Sequence, residues 1–217
     1  MNFRFASAYP HRVKARMLLL SMLVLAGRPV AAQEGLYAPS VPEDAALVRV
    51  VNATGETVTL DVGPVRFRDV ASRTATAYRP FQGDVVVIAH AGDREVLTPR
   101  ARSFLSIVLK VDGVLAITDE RHTDPARAQL VLYNLTGAPL DFVAVEPGAT
   151  LAAGVEPGAG AARVVNAIPL RLGAVSAGTL VHDESLGLQR GESYTMVVAD
   201  EGGDVFGFVV QATVESE

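Results

Sequence analysis

The sequence has 217 residues, no cysteine, and a formal net charge of −5 from 19 basic and 24 acidic residues. The absence of cysteine excludes disulfides, thiol catalysis and cysteine-based metal sites. The acidic balance argues against a nucleic-acid-binding protein, because such proteins set clustered positive charge against phosphates.

The first 32 residues have the pattern of a cleaved secretory signal peptide. A basic segment precedes the apolar run MLLLSMLVLA (17–26), and the small residues Val30 and Ala32 stand at the −3 and −1 positions of a cleavage site. The run is too short to cross a bilayer, which takes about 20 residues. We therefore predict an exported protein without a membrane anchor, beginning near Gln33, with 14 basic and 24 acidic residues and a net charge of −10.

Alternation of apolar and polar residues dominates the mature chain. In TVTLDV (57–62), Val58, Leu60 and Val62 share one face, and VRFR (65–68) repeats the pattern, as half-buried strands do. Further β-branched or aromatic runs are DVVVIA (84–89), FLSIVLKV (104–111), LVLYN (130–134), YTMVVA (194–199) and VFGFVVQATV (205–214). Short strands separated by turn residues, with no sustained helical period, predict an all-β antiparallel sandwich or barrel.

One element occurs twice. When Asn52 is superposed on Asn134, LVRVVNATGETVTLDV (47–62) and LVLYNLTGAPLDFVAV (130–145) share a strand, an Asn-x-Thr-Gly turn and a second strand. The Asn-x-Thr triplets are formal glycosylation sequons, which we interpret as turn residues. Two later pairs of segments match in the same order: VVVIA (85–89) with LRLGA (170–174), and SFLSIV (103–108) with SYTMVV (193–198). The order of these matches favours a duplicated β domain.

We therefore predict two tandem antiparallel β-sandwich domains joined by a short linker. After the signal peptide (1–32), the N-terminal domain covers 33–120 and the C-terminal domain covers 121–217. The linker is the charged, proline-containing segment TDERHTDPAR (118–127). EPGATLAAGVEPGAGA (146–161) is interpreted as a long loop or weak edge strands inside the second domain.

The sequence contains no recognisable motif of catalysis or metal binding, so we predict no catalytic residue, no cofactor and no metal. Ser193 in GESY (191–194) lacks a Gly-x-Ser-x-Gly elbow, and like Ser103 it is interpreted as the start of a strand. The mature histidines lack the close spacing of metal ligands: His90, His122 and His182.

Two groups of residues are candidates for binding. The densest basic positions are Arg66, Arg68, Arg100 and Arg102. Arginines can hold the carboxylates of an anionic polysaccharide by paired hydrogen bonds, although they more often form the wet face of a strand. Tyr37 and Pro39 lie in a proline-bearing segment that either packs onto the sandwich or docks a partner.

The segment GLYAPSVPEDAALVRVVNATGETVTLDVG (35–63) resembles the start of the mature AlgF family, the periplasmic accessory proteins of alginate O-acetylation. The likeness lies in Leu36-Tyr37-x-Pro39, in Pro42 and in ALVRVVNAT. It continues through RPFQGDVVV and the strand from Phe104, and resumes at AQLVLYNLTGAPL.

The resemblance implies a periplasmic protein that works with a membrane-bound O-acyltransferase and periplasmic SGNH-type acetyltransferases, which acetylate the mannuronate hydroxyls of alginate. We hypothesise a non-catalytic adaptor whose two domains bridge these partners. Two alternatives stay open. The protein itself carries the acetyl group, on Ser193 or Ser103, or it is a polysaccharide-binding module, although tryptophan is absent and only five tyrosines are present.

Overall fold

The fold is described by a computed structural model, which covers residues 44–82, 86–90 and 93–215. The predicted signal peptide, Tyr37 and Pro39 lie outside the described residues. Every regular element in the described part of the chain is a β-strand, which confirms the all-β prediction. These residues form one compact unit.

The described strands fall into two halves of the chain. The first half contains β1 (Ala46–Asn52), β2 (Val58–Val62), β3 (Val65–Val70), β4 (Thr74–Ala75), β5 (Arg79–Phe81), β6 (Val86–His90), β7 (Asp93–Leu97), β8 (Phe104–Lys110) and β9 (Gly113–Asp119). The second half contains β10 (Ala128–Leu135), β11 (Leu140–Ala144), β12 (Ala149–Val155), β13 (Gly160–Val165), β14 (Pro169–Ser176), β15 (Thr179–Gly187), β16 (Ser193–Glu201) and β17 (Asp204–Gln211).

Each half forms an inner and an outer sheet, and the strand order is the same in both. In the first half the inner sheet has the order β4-β1-β8-β9, with β5 also paired to β1, and the outer sheet has the order β3-β2-β6-β7. In the second half these become β13-β10-β16-β17 and β12-β11-β14-β15. Strand by strand, the second half therefore repeats the first.

The two Asn-x-Thr turns make the same hydrogen bonds. The side-chain oxygen of Asn52 accepts from the backbone N–H and the hydroxyl of Thr54, at 3.0 and 2.7 Å. Asn134 accepts from Thr136 in the same way, at 2.9 and 2.7 Å. Both asparagines are fully buried, so neither sequon is open to glycosylation in the folded protein, and the interpretation as turn residues is confirmed.

Two of the predicted superpositions are wrong by one residue. Leu105 pairs with Val48, and Tyr194 pairs with the equivalent residue of β10, Leu130, so Leu105 is equivalent to Tyr194. The sequence match instead put the residue before Leu105 opposite Tyr194. The same error affects β6 and β14. The error matters because a one-residue slip moves every side chain of a strand to the other face.

The prediction of purely antiparallel sheets is wrong at the centre of each inner sheet. β1 runs parallel to β8, and β10 runs parallel to β16. A two-residue period indicates a strand but carries no information about the direction of its partner. Parallel pairing needs a long crossover connection, and in each half the strands of the outer sheet supply it.

Three apolar layers separate the four sheets. The first half encloses Phe67, Ile88 and Ile107 between its two sheets, and the second half encloses Leu132, Phe142 and Met196. The third layer joins the inner sheets to each other, with Val51 and Val108 on one side and Tyr133, Leu135 and Val197 on the other. Each half thus has its own core, while the shared layer makes them one unit. The division at residue 120 stays a prediction.

The two segments predicted to be irregular are partly regular. The interpretation of 146–161 as edge strands is confirmed, because β12 is an edge of the outer sheet and β13 an edge of the inner sheet. The predicted linker begins too early, since β9 extends to Asp119. The last two residues of β9 are Thr118 and Asp119, which have the polar composition of a linker, so the alternation of apolar and polar residues does not mark the end of this strand.

Candidate functional site

A charged side chain lies in the layer between the two inner sheets. Arg49 is in the middle of β1, on the face shared with Val51, and only 1% of its surface is exposed. Its neighbours Val48 and Val50 face the core of the first half. Strand alternation therefore directs Arg49 away from its own half and toward the second one.

Hydroxyl groups from both halves accept the hydrogen bonds of Arg49. Its Nε donates to Ser106 Oγ at 2.7 Å. Its Nη2 donates to Tyr133 OH and to Thr195 Oγ1, each at 3.0 Å. The guanidinium also lies 4.6 Å from the ring centre of Tyr78, within the range of a cation–π contact. One arginine of the first half is thus held by two residues of the second.

The carboxylate of Asp119 accepts hydrogen bonds from two of these hydroxyls and from a third one, that of Tyr78. Asp119 Oδ2 accepts from Tyr78 OH at 2.6 Å and from Ser106 Oγ at 2.7 Å. Its Oδ1 accepts a short hydrogen bond from Tyr133 OH. Ser106 and Tyr133 therefore accept from the cation and donate to the anion, so they link the buried Arg49 to the half-buried Asp119 without direct contact between the two charges. We call these six residues the junction cluster: Arg49, Tyr78, Ser106, Asp119, Tyr133 and Thr195.

The protonation states of the cluster support this arrangement. Burial opposes the charge on Arg49, but the oxygens of Tyr133 and Tyr78 and the carboxylate of Asp119 outweigh it, so the pKa of Arg49 is raised. Burial raises the pKa of Tyr78 and of Tyr133 above the usual range; Arg49 opposes these shifts and Asp119 reinforces them. Both phenols therefore keep their protons at physiological pH and act as donors to Asp119.

The junction cluster breaks the internal repeat. Arg49 is equivalent to Val131 in β10, and Tyr133 is equivalent to Val51 in β1. Only the hydroxyl on the neighbouring parallel strand is retained, as Ser106 in β8 and Thr195 in β16. No motif in the sequence marks this cluster. The available signal was an arginine within the apolar run LVRVV, which indicates a strand buried on both faces.

The last described residues of the chain return to the first half beside the cluster. The backbone N–H of Tyr78 donates to the carbonyl of Thr213 at 2.7 Å, and the N–H of Glu215 donates to the carbonyl of Tyr78 at 2.9 Å. Glu215 also forms an ion pair with Arg79. The halves are therefore joined by backbone hydrogen bonds as well as by side chains.

A cleft of about 260 Å³ opens next to the junction cluster. Its walls come from both halves and from the connection between them: they include Arg49, Phe104, His122, Gln129, Ser193 and Val214. Ser193 Oγ donates to the side-chain oxygen of Gln129 at 2.8 Å, and the amide of Gln129 donates to the carbonyl of Glu120 at 3.0 Å. In the described part of the chain, Ser193 therefore bonds to an amide and has no acid or base as its partner.

The arginines predicted from the sequence are not brought together. Arg66 and Arg68 are exposed on β3, and Arg66 lies 3.6 Å from Asp61 in an ion pair. Arg100 and Arg102 follow β7, which is the opposite edge of the same outer sheet. Two strands lie between β3 and β7, so these edges are about 14 Å apart, and Arg100 and Arg102 lie beyond β7 in the connection to β8 of the inner sheet.

The other predicted positions have structural surroundings. Ser103 Oγ donates to the carbonyl of Arg100 at 2.6 Å, which closes the turn before β8. The ring of His182 lies directly against Gly207, where a Cβ would collide with it. The side chain of His90 lies outside what the structure describes. Among the described residues, no group of histidines and carboxylates could hold a metal, and none of the described segments is a helix long and apolar enough to cross a membrane.

Comparisons with known proteins give one family match. The model of the family described as alginate O-acetyl transferase AlgF matches residues 17–195. Among solved structures, the chain is similar to the C-terminal domain of AlgF from P. aeruginosa, at 22% identity and a TM-score of 0.34, covering 40% of this chain and 98% of that one. The comparison with curated proteins found no significant match.

Proposed function

Since this chain belongs to the alginate O-acetyl transferase AlgF family, we propose that it is a non-catalytic adaptor of the alginate O-acetylation system. It acts in the periplasm after removal of a signal peptide near Ala32. There it holds a membrane-bound O-acyltransferase and periplasmic SGNH-type acetyltransferases together while the polymer is acetylated.

The observation that carries this proposal is the fixed arrangement of the two outer sheets. Both halves have the same topology, and the apolar layer and the junction cluster hold their inner sheets together. The outer sheets are therefore on opposite sides of a four-sheet stack. At about 10 Å per pair of packed sheets, their separation is about 30 Å. Two protein partners can occupy these faces at the same time without colliding.

The hydroxyl groups named by the competing hypothesis have other partners. An acetyl carrier needs a nucleophile beside a base, and the base is usually oriented by a third group. Ser193 donates to the amide of Gln129, and Ser103 donates to a backbone carbonyl. These bonds favour the adaptor over a serine acetyl-enzyme. Intact mass after exposure to an acetyl donor tests the alternative, because a covalent carrier gains one acetyl group.

Charge reversal on each outer sheet tests the bridging role. The variant R66E/R68E changes the outer sheet of the first half, and Arg171→Glu changes that of the second half, where Arg171 is exposed on β14. We expect each variant to lose one partner in pull-down from membrane and periplasmic fractions, and to keep the other. A variant that loses both partners, or a pair of variants that lose the same one, contradicts bridging through opposite faces.

The pathway assignment has its own readout. We expect deletion of the gene to lower the O-acetyl content of the secreted alginate while the yield of polymer is maintained. Either single-face variant should reproduce the loss, because acetylation needs both partners at once. Unchanged acetyl content would mean that this chain does not serve the acetylation step.

A further inference from the structure

The cleft beside the junction cluster contains two buried nitrogen atoms without hydrogen-bond partners among the described residues. They are Nη1 of Arg49 and Nδ1 of His122, and both side chains line the cleft. Buried polar atoms in folded proteins are almost always hydrogen-bonded, so unpaired ones at a cavity wall indicate a missing partner.

The two nitrogens need partners of opposite kind. Nη1 of Arg49 is always protonated, so it needs an acceptor. Nε2 of His122 lies 3.0 Å from the carbonyl oxygen of Arg127, and a carbonyl can only accept. In neutral His122 the proton is therefore on Nε2, which leaves Nδ1 with a free lone pair that needs a donor. A ligand that satisfies both atoms must both accept and donate, as hydroxyl groups do.

The charges around the cleft favour an uncharged ligand. Two arginines line it, Arg49 and Arg121, against three carboxylates, those of Asp119, Glu120 and Glu192. Asp119 accepts three hydrogen bonds from the hydroxyls of the junction cluster, and Glu192 accepts from Gln211 at 2.9 Å. The surplus of negative charge opposes the entry of an anion. Apolar surface is available from Phe104, Val131, Ala212 and Val214.

We propose that this cleft is a binding site for an uncharged hydroxyl-bearing ligand of monosaccharide size, held between Arg49 and His122. Hydroxyl groups at the edges of the ligand's ring accept from Arg49 and donate to His122. The apolar face of the ring lies against Phe104 and Val214. The volume of about 260 Å³ is below the roughly 300–1,000 Å³ of pockets for drug-sized ligands, which suits a single sugar ring. The site stands apart from the adaptor role, because partner binding on the outer sheets does not require it.

An NMR titration of the mature chain tests the site without any mutation. The mature protein has three histidines, so the ring C–H signals of His90, His122 and His182 can be assigned and followed separately. Methyl mannoside is the uncharged probe, and mannuronate is its charged counterpart. We expect methyl mannoside to shift only the His122 signal in a saturable way, and mannuronate to bind at least about tenfold more weakly. An unmoved His122 signal, or tighter binding of mannuronate, overturns the proposal.

A matched pair of variants separates binding at the cleft from general effects on the fold. His122→Leu removes the unpaired acceptor from the cleft. His182→Leu removes another histidine with an unpaired buried nitrogen, which does not line the cleft. Loss of one hydrogen bond corresponds to about a tenfold higher Kd. We expect this increase for His122→Leu and no change for His182→Leu, each with a folded spectrum. Equal affinity in the two variants contradicts the assignment of His122.

Discussion

β1 and β10 occupy equivalent places in the two inner sheets. They differ most on the side that faces the layer between the two inner sheets. Both strands are buried on both sides and end in the same Asn-x-Thr turn. Where β10 has Val131, however, β1 has Arg49, with hydroxyl partners from both halves. The repeat therefore retains the turns that build each half and differs in the side chains that join them. The junction cluster joins the two similar halves, and it is asymmetric because the first half supplies the arginine and the second half supplies hydroxyl groups that accept from it.

Removing the charge from β1 should have the largest effect on stability. Arg49→Ala removes three buried hydrogen bonds from a charged group, each worth about 1.5–3 kcal/mol, so we expect a loss of at least about 3 kcal/mol. Val131→Ala, at the equivalent position of β10, removes only buried methyl groups and should cost about 2 kcal/mol. Chemical denaturation of both variants measures the difference.

A second variant keeps this prediction testable if Arg49→Ala does not fold. Arg49→Lys retains the charge but cannot reach Ser106, Tyr133 and Thr195 with the geometry of a guanidinium. We expect its stability to lie between those of the wild type and Arg49→Ala. Equal losses for Arg49→Ala and Val131→Ala would show that the junction cluster contributes nothing beyond packing.

The equivalence of the two turns predicts equal losses. Asn52→Ala frees the buried carbonyl of Val70 and the N–H of Thr54, and Asn134→Ala frees the corresponding groups of Val155 and Thr136. Unsatisfied buried groups cost about 1–3 kcal/mol each, so each variant should lose about 2–4 kcal/mol. Thermal or chemical unfolding should give values within about 1 kcal/mol of each other. A large difference would show that the turns are alike in geometry but not in energy.

A single hydroxyl sharpens the comparison at the junction. Tyr133→Phe keeps the ring but removes the oxygen that links Arg49 Nη2 with Asp119 Oδ1. We expect a loss of about 1–3 kcal/mol, typical of a buried hydrogen bond to charged groups. In a double-mutant cycle with Asp119→Asn, the losses should be less than additive, because both changes break the same link. Strictly additive losses would contradict a connected cluster.

The smallest effect is expected for an ion pair on the surface. Arg171 and Asp183 are joined at 2.6 Å across β14 and β15, both in contact with solvent. Arg171 holds the pKa of Asp183 below its ordinary value of 3.8. A depressed pKa contributes stability that is present above pH 3.8 and is lost as the pH falls through the lower folded value. Asp183→Asn should therefore barely change stability at pH 7, and added salt should abolish what remains. Denaturation of the wild type and the variant at pH 7, with and without added salt, and below pH 3.8 checks these expectations.

The features that are local in sequence could be predicted. The two-residue period located most strands. The Asn-x-Thr turn aligned β1 with β10 and β2 with β11, because part of its hydrogen bonding joins residues within four positions of the asparagine. The later matches failed by one residue because loops of different length separate them from that turn. The parallel pairings could not be predicted, since nothing local specifies the direction of a distant neighbour.

The junction cluster could not be predicted for a related reason. Arg49 stands in the apolar run LVRVV, which indicates that both faces of β1 are buried but not which distant residues bind the guanidinium. Asp119 lies in the segment 118–127, which the sequence predicts to be a linker, whereas the structure places it at the end of β9. Its partners Tyr78 and Tyr133 are 41 and 14 positions away along the chain. The arginines at 66, 68, 100 and 102, by contrast, stand out in the sequence because they are charged. The structure nevertheless places the first two on β3 and the last two after β7, at opposite edges of the outer sheet.

The parallel pairs at the centre of the inner sheets have a consequence for the time course of folding. Val48 pairs with Leu105, 57 positions later, and Leu130 pairs with Tyr194, 64 positions later. Such non-local contacts make folding slow, in the range of milliseconds to seconds. Neither half can complete its inner sheet until nearly all of that half is available. Burial of Arg49 needs both halves, because Tyr133 and Thr195 of the second half accept its hydrogen bonds, so loss of water from its guanidinium reports the joining of the two halves.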